Sequence, residues 1–123
     1  MAPVAYANNS QCEQALAWTQ LVDGLEIGLK RFSNGEIEQP IRKMLEVKEH
    51  SGFLGLMPCR SNADNIISVK LVSLYPGNNR MGLPSHIVYV CLFDATTGVL
   101  KAVMVRTKNH RLKVNLYDFS NEY

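Results

Sequence analysis

The sequence predicts an α+β fold: an N-terminal amphipathic helix packed on a mainly antiparallel or mixed sheet of about five strands. Two observations carry this. A helical apolar period occupies the first third of the chain, and the remaining segments alternate with period two or form short unbroken apolar runs bounded by turn residues. The 123 residues suffice for one domain, and 46% apolar with 20% charged residues is a globular composition, not a disordered one.

Residues 1–9 are small and polar and read as a disordered N-terminus. Ser10-Gln11-Cys12-Glu13 fits a capping box, in which the Ser hydroxyl and the Glu carboxylate satisfy two free amides. Trp18, Leu21, Val22, Leu25, Leu29 and Phe32 then recur at spacings of three and four, which places them on one helical face. Gly24 and Gly28 each cost about 1 kcal/mol in a helix and suggest close packing against another element. Asn34-Gly35 supplies the stop.

After Pro40 the period changes. Ile41, Leu45 and Val47 alternate with Arg42, Glu46 and Lys48, as in a half-buried strand. Residues 53–57 are continuously apolar and read as a strand covered on both faces, followed by a polar loop over 58–65. Residues 66–75 are rich in β-branched side chains and form the clearest strand. A turn cluster at 76–79 and a loop through Ser85 lead to a strand at 87–93. Asp94-Ala95-Thr96-Thr97-Gly98 is a hairpin connection, and 99–105 returns as its partner.

Charge is unevenly spread. Residues 1–100 hold 8 basic and 9 acidic side chains, whereas 101–123 hold 5 and 2. A net +2 is too mild to imply a nucleic-acid partner, and no apolar run approaches the ~18 residues of a spanning helix, so neither nucleic acid nor membrane is expected. The start shows no basic patch followed by an apolar run, so no secretory leader is visible there. Within the basic end, Leu112, Val114 and Leu116 alternate with polar residues, as in a solvated edge strand whose lysines deter aggregation. A nucleic-acid or membrane-surface patch is the alternative for that segment.

Cys12, Cys59 and Cys91 are odd in number, far apart and without a CxxC pair, so they read as reduced thiols of a cytosolic protein. HExxH, GxSxG, GxxxxGK[ST] and GxGxxG are all absent. The three histidines share no metal-ligand spacing, so no metal is expected. Lys70 stands inside the apolar run of 66–72, where it either faces water beside Ser68 and Ser73 or pairs with an anion. Arg42, at the head of a strand, is either solvated or holds a carboxylate through two parallel hydrogen bonds. Met57 reads as core, Ser85 as a cap and His86 as a loop histidine.

Five segments in this order resemble the N-terminal part of the ornithine cyclodeaminase/mu-crystallin family: 39–42 (QPIR), 52–58 (GFLGLMP), 69–72 (VKLV), 83–86 (LPSH) and 92–104 (LFDATTGVLKAVM). The resemblance leans to the mu-crystallin-like ketimine reductases and covers roughly residues 10–104. It implies a substrate-binding and dimerisation domain that works beside a Rossmann domain. It also implies NADPH or NADH as cofactor and a small cyclic ketimine carboxylate as substrate, with thyroid-hormone binding in the mu-crystallin-like members. The ornithine cyclodeaminases convert ornithine to proline with loss of ammonia.

Carried over by motif, Arg42 would hold the substrate carboxylate and Lys70 would lie at the imine or carboxylate as a proton donor. Met57 would line the substrate pocket, and Ser85 and His86 would border the nicotinamide. After Met104 the family continues with an aspartate-glycine step, where this chain has Val105-Arg106-Thr107. The expected organisation is therefore a disordered 1–9, an incomplete domain at 10–104 and a divergent basic tail at 105–123, with no Rossmann domain. On this reading the chain alone binds NADPH poorly and is inactive. It would form a homodimer or a mixed dimer with a full-length subunit. The alternatives are a non-catalytic module that regulates the full-length enzyme, or an ornithine cyclodeaminase-like fragment.

Overall fold

The computed structural model describes residues 3–108. The elements are β1 (Ala5–Ala7), α1 (Asn9–Ala15), α2 (Trp18–Ser33), β2 (Ile37–Glu38), β3 (Lys43–Val47), β4 (Gly52–Ser61), β5 (Ile66–Leu74), β6 (His86–Asp94) and β7 (Leu100–Lys108). The strands form one sheet in the order β1-β7-β6-β5-β4-β2, with β3 also pairing on β4. The architecture is α+β, and its sheet is mixed because β1 joins β7 in parallel while the other pairs are antiparallel.

Three departures from the sequence reading lie near the N-terminus. Ala5–Ala7, read as disordered, pair with Ala102–Met104; this is a long-range contact that leaves no local pattern. The helix begins two residues early, because the Asn8 side chain accepts from the Gln11 amide and Gln11 Oε1 accepts from the Asn8 amide, both at 2.9 Å. Leu16, with ψ near +83°, then breaks the helical run in two. The break gives the halves different partners: α1 lies against β7 and β1, and α2 meets β2.

Pro40 interrupts pairing between β2 and β3, so β4 is paired on its outer edge at 52–56 and 60–61 only. Pro58 falls in that gap, an edge position of the kind where a strand tolerates proline. β4 therefore runs on to Ser61, through what reads as loop. At the other end of the domain, β7 continues past Met104 to Lys108, so the boundary expected between residues 104 and 105 falls inside a regular strand. The candidate edge strand at 112–116 and the basic residues around it lie outside the described residues.

The register gives the sheet two chemically different faces, since opposed residues in a ladder point the same way. One face carries Arg42, Met44, Gly55, Met57, Lys70, Val72, His86 and Arg106. Both helices lie on this side: Arg106 Nη1 is 3.8 Å from Glu13 of α1, and Ile37 and Cys59 line a groove with α2. The opposite face presents apolar rows, Leu56–Leu71–Tyr89–Val105 and Pro58–Val69–Cys91–Val103–Tyr6. Neither helix covers it, and Leu45 and Leu56 are 60% and 40% exposed there.

The β4–β5 and β6–β7 turns at one end of the sheet are tied together. The Asp94 carboxylate accepts from the Thr96 and Thr97 amides, and Asn65 Nδ2 donates to Thr96 Oγ1 at 2.7 Å. Asp64 accepts from Arg31 and from Ser61, both at 2.6 Å, and so fastens the end of α2 to the β4–β5 turn.

Candidate functional site

Met57 of β4 stands directly opposite Lys70 of β5. The β3–β4 register, Lys43 to Leu56, brings Arg42 alongside Met57 when extended by one residue. Arg42, Met57 and Lys70 thus form one row across three strands, on the helix side of the sheet. With strands about 4.8 Å apart, the Arg42 and Lys70 backbones are about 10 Å apart, within joint reach of a small anion. Lys70 is half-buried between Ser68 and Val72 along its strand, and Val90 faces it from β6.

Lys70 is the charged residue of β5, and β4 presents none on this face, so the row concentrates positive charge on an apolar floor. Such a place suits a ligand with one carboxylate and a small hydrocarbon body. Among the described residues, no group of three or more His, Cys, Asp or Glu side chains could hold a metal. Among the described residues, no helix is long and apolar enough to cross a membrane.

Ser85 and His86 sit elsewhere. Ser85 is 6% exposed, and its carbonyl accepts from the Tyr75 amide at 2.8 Å. His86 opens β6 opposite Leu74, on the same face as Lys70 but four positions from the row, about 13 Å along the strand. The structure groups Arg42, Met57 and Lys70, and leaves Ser85 and His86 at the edge of that site.

A dinucleotide needs a glycine-rich turn feeding a helix N-terminus. The glycines with positive φ are Gly35, Gly82 and Gly98, and none of them precedes an α-helix. The described residues therefore do not by themselves fit a pyrophosphate.

Three further features escaped sequence reading. Met44, two positions after Arg42, shares its face; Met in a strand reads as core and gives no other signal. Arg106 reaches toward Glu13, and its Nη1 is buried without a hydrogen-bond partner. A groove of about 580 Å³ runs between α2 and the β2–β4 edge, lined by Leu21, Leu25, Leu29, Phe32, Ile37 and Cys59 among others. The apolar stripe of α2 is correspondingly open, with Leu29 65% exposed, and apart from the adjoining helix backbone no atom lies within 4 Å of where a Cβ on Gly24 or Gly28 would stand. The close packing that these glycines suggested is absent among the described residues. Burial pushes the Cys59 thiol up and a hydrogen bond with Ser68 offsets part of that, so Cys59 is a poor nucleophile at neutral pH.

The fold is shared with one part of solved reductase chains. It matches a Delta(1)-pyrroline-2-carboxylate reductase from Thermococcus litoralis, solved with NADH and L-proline, with a TM-score of 0.78 and 31% identity over 83% of this chain and 32% of that one. A family model for the ornithine cyclodeaminase/mu-crystallin family matches residues 4–111, and the chain belongs to that family. Ketimine reductase mu-crystallin of Mus musculus is 42% identical over 87 residues, covering 68% of this chain. A Delta(1)-pyrroline-2-carboxylate reductase 2 of Burkholderia ambifaria is 34% identical over 89 residues. The chain spans 28% of the length of both relatives.

Proposed function

We propose that this chain is the substrate-binding and dimerisation part of a ketimine reductase that uses NADPH or NADH in the cytosol. Its ligand is a small cyclic imine carboxylate. The observation that carries this is the row of Arg42, Met57 and Lys70 on one face. The Arg42 guanidinium holds the carboxylate with two parallel hydrogen bonds, and Lys70 donates a hydrogen bond to the carboxylate or to the imine nitrogen. Met57 lies under the ring. Ser85 and His86 border the place where a nicotinamide would approach. An aromatic amino-acid carboxylate of the thyroid-hormone kind offers the same anionic handle. The Thermococcus relative's complex with L-proline supports a ligand of this size.

The apolar face supports the dimerisation role. The four strands β4–β7 are about 30 Å long and span about 19 Å, and with the shorter β1 and β3 the face measures roughly 700 Å² per copy. A stable interface takes about 800 Å² per partner. The same face favours a second reading, in which the chain pairs with a longer family member and regulates it without catalysis of its own.

The test is calorimetric titration of the 123-residue polypeptide with L-proline and pyrroline-2-carboxylate. Millimolar or tighter binding that is lost in Arg42→Met and Lys70→Met is expected. Equal binding by both variants would refute the assignment. The polypeptide mixed with NADPH and a cyclic ketimine carboxylate is expected to leave nicotinamide absorbance unchanged, and clear turnover would refute that expectation. Co-expression with a full-length relative, followed by sizing, decides the second reading, which fails if no mixed dimer forms.

A further inference from the structure

Gly55 lies buried beside the cationic row, opposite Met44 on β3 and Val72 on β5. Val72 is 2% exposed and closes the floor behind it. A Cβ built on Gly55 would stand 2.9 Å from Met44 Sδ, 3.5 Å from Met44 Cε and 3.6 Å from Met57 Cε. The missing side chain thus leaves a dent, and two methionines from different strands lean over it. Met44 is 39% exposed and shares its face with Arg42 two positions away, so its thioether borders the space in front of Arg42 and Lys70.

A thioether on three rotatable bonds adapts to hydrocarbon surfaces and contacts them favourably. We infer that Met44, seated on Gly55 and backed by Met57, is the residue that sets ring size for the ligand whose carboxylate Arg42 and Lys70 hold. The inference rests on the anion-site reading above and deepens it. With the carboxylate fixed on the cationic row, a ring that extends over the neighbouring row on this side meets Met44, Gly55 and Val72. Met44 is the flexible member of that row, so the space left for ring methylenes depends on where its side chain lies. Gly55 is required because a methyl there would collide with Met44 Sδ. That sulfur is the far part of a flexible chain, so it would yield, and the pocket would change shape without loss of the fold.

The experiment titrates three saturated cyclic amino acids of rising ring size, L-proline, L-pipecolate and azepane-2-carboxylate, into the wild-type polypeptide and into Met44→Ala, Met44→Leu and Gly55→Ala. One methylene in an apolar pocket is worth roughly tenfold or more in discrimination. Met44→Ala is expected to shift the azepane-to-proline affinity ratio at least fivefold toward the larger ring. Gly55→Ala is expected to change the ratio by displacing the sulfur, and Met44→Leu to stay near wild type. The inference is overturned if Met44→Ala and Gly55→Ala scale all three affinities by one factor while Arg42→Met still abolishes binding. If the wild-type polypeptide binds none of the three, the anion site itself falls, and this inference with it. Met44 lies on an open edge strand, so thermal melting should show Met44→Ala folded; were it unfolded, an unchanged ratio in Gly55→Ala alone would be decisive against the inference.

Discussion

Met57 and Lys70 oppose each other where β4 and β5 pair, and Lys70 directs its ammonium to the face on which the helices lie. A lysine in the middle of a sheet gains nothing for packing that an aliphatic residue would not supply better, and it carries a desolvation cost. Lys70→Met should therefore leave the melting temperature unchanged or raise it by a few degrees, while ligand affinity drops tenfold or more. Parallel thermal melts and titrations check both halves. A large loss of stability in Lys70→Met would mean that the ammonium is part of the framework.

The second prediction concerns Asp64. A hydrogen bond from the Ser61 hydroxyl, then one from Arg31 with its positive charge, holds the Asp64 carboxyl below the usual carboxylate range. A carboxyl with a folded pKa below its unfolded value stabilises the fold above the unfolded pKa. That contribution fades as pH falls through the folded pKa. The group is exposed to solvent, so the effect on stability is small, but the titration is readable by carbon-detected NMR. Ser61→Ala and Arg31→Ala should each raise the Asp64 pKa toward the ordinary value, and the last turn of α2 should fray in Arg31→Ala.

The ring of Tyr75 fills the space that a side chain on Gly52 would need, so a methyl there would overlap it. Gly52 opens β4 opposite Val47, and Tyr75 directly follows β5. Gly52→Ala should cost about 1–3 kcal/mol, the range for overpacking a filled position. In a Tyr75→Ala background the same change should cost much less. Chemical denaturation of the four proteins gives the coupling, and a fully additive result would rule out the contact as the cause.

Arg106 is a case where a charged contact contributes little. Its Nη1 lies 3.8 Å from the Glu13 carboxylate, beyond hydrogen-bond distance, and is buried with no hydrogen-bond partner. Both side chains are more than 40% exposed, so solvent screens the pair. Arg106→Met keeps the aliphatic stem and removes the unsatisfied donor. Its stability should match the parent within about 0.5 kcal/mol, by urea denaturation.

How far the sequence specified this molecule depends on which interactions are local. The alternation around Arg42 and around Lys70 fixes the face of each residue within its own strand, and the Asp94–Gly98 turn fixes the β6–β7 register. What joins β3 to β4 to β5 in one row is the long-range register, which no single segment encodes. Leu16-Ala17 breaks the helical run without a Gly or Pro to mark it, and the cap comes from Asn8, outside the apolar period. The pairing of Ala5–Ala7 with β7 has no signature beyond small side chains. Met44 carries no charge and stays invisible until Gly55 is seen to make room for it.

The apolar face supplies the last prediction. Leu56, Leu71 and Tyr89 lie in one row on it, and Leu56 is 40% exposed. A solvated apolar surface of that extent drives association, because each buried square ångström contributes about 25 cal/mol before the losses of freedom are deducted. A lysine at Leu56 would place a charge in the middle of the contact and leave it unpaired. If the chain dimerises through this face as proposed, Leu56→Lys converts the dimer to monomer at micromolar concentration in sedimentation velocity, with the far-ultraviolet spectrum preserved. Lys70→Met, which alters the other face, should sediment as the wild type does. If Leu56→Lys left the sedimentation coefficient unchanged, the contact would have to lie elsewhere, and the open groove beside α2 would become the surface to test by Leu29→Lys.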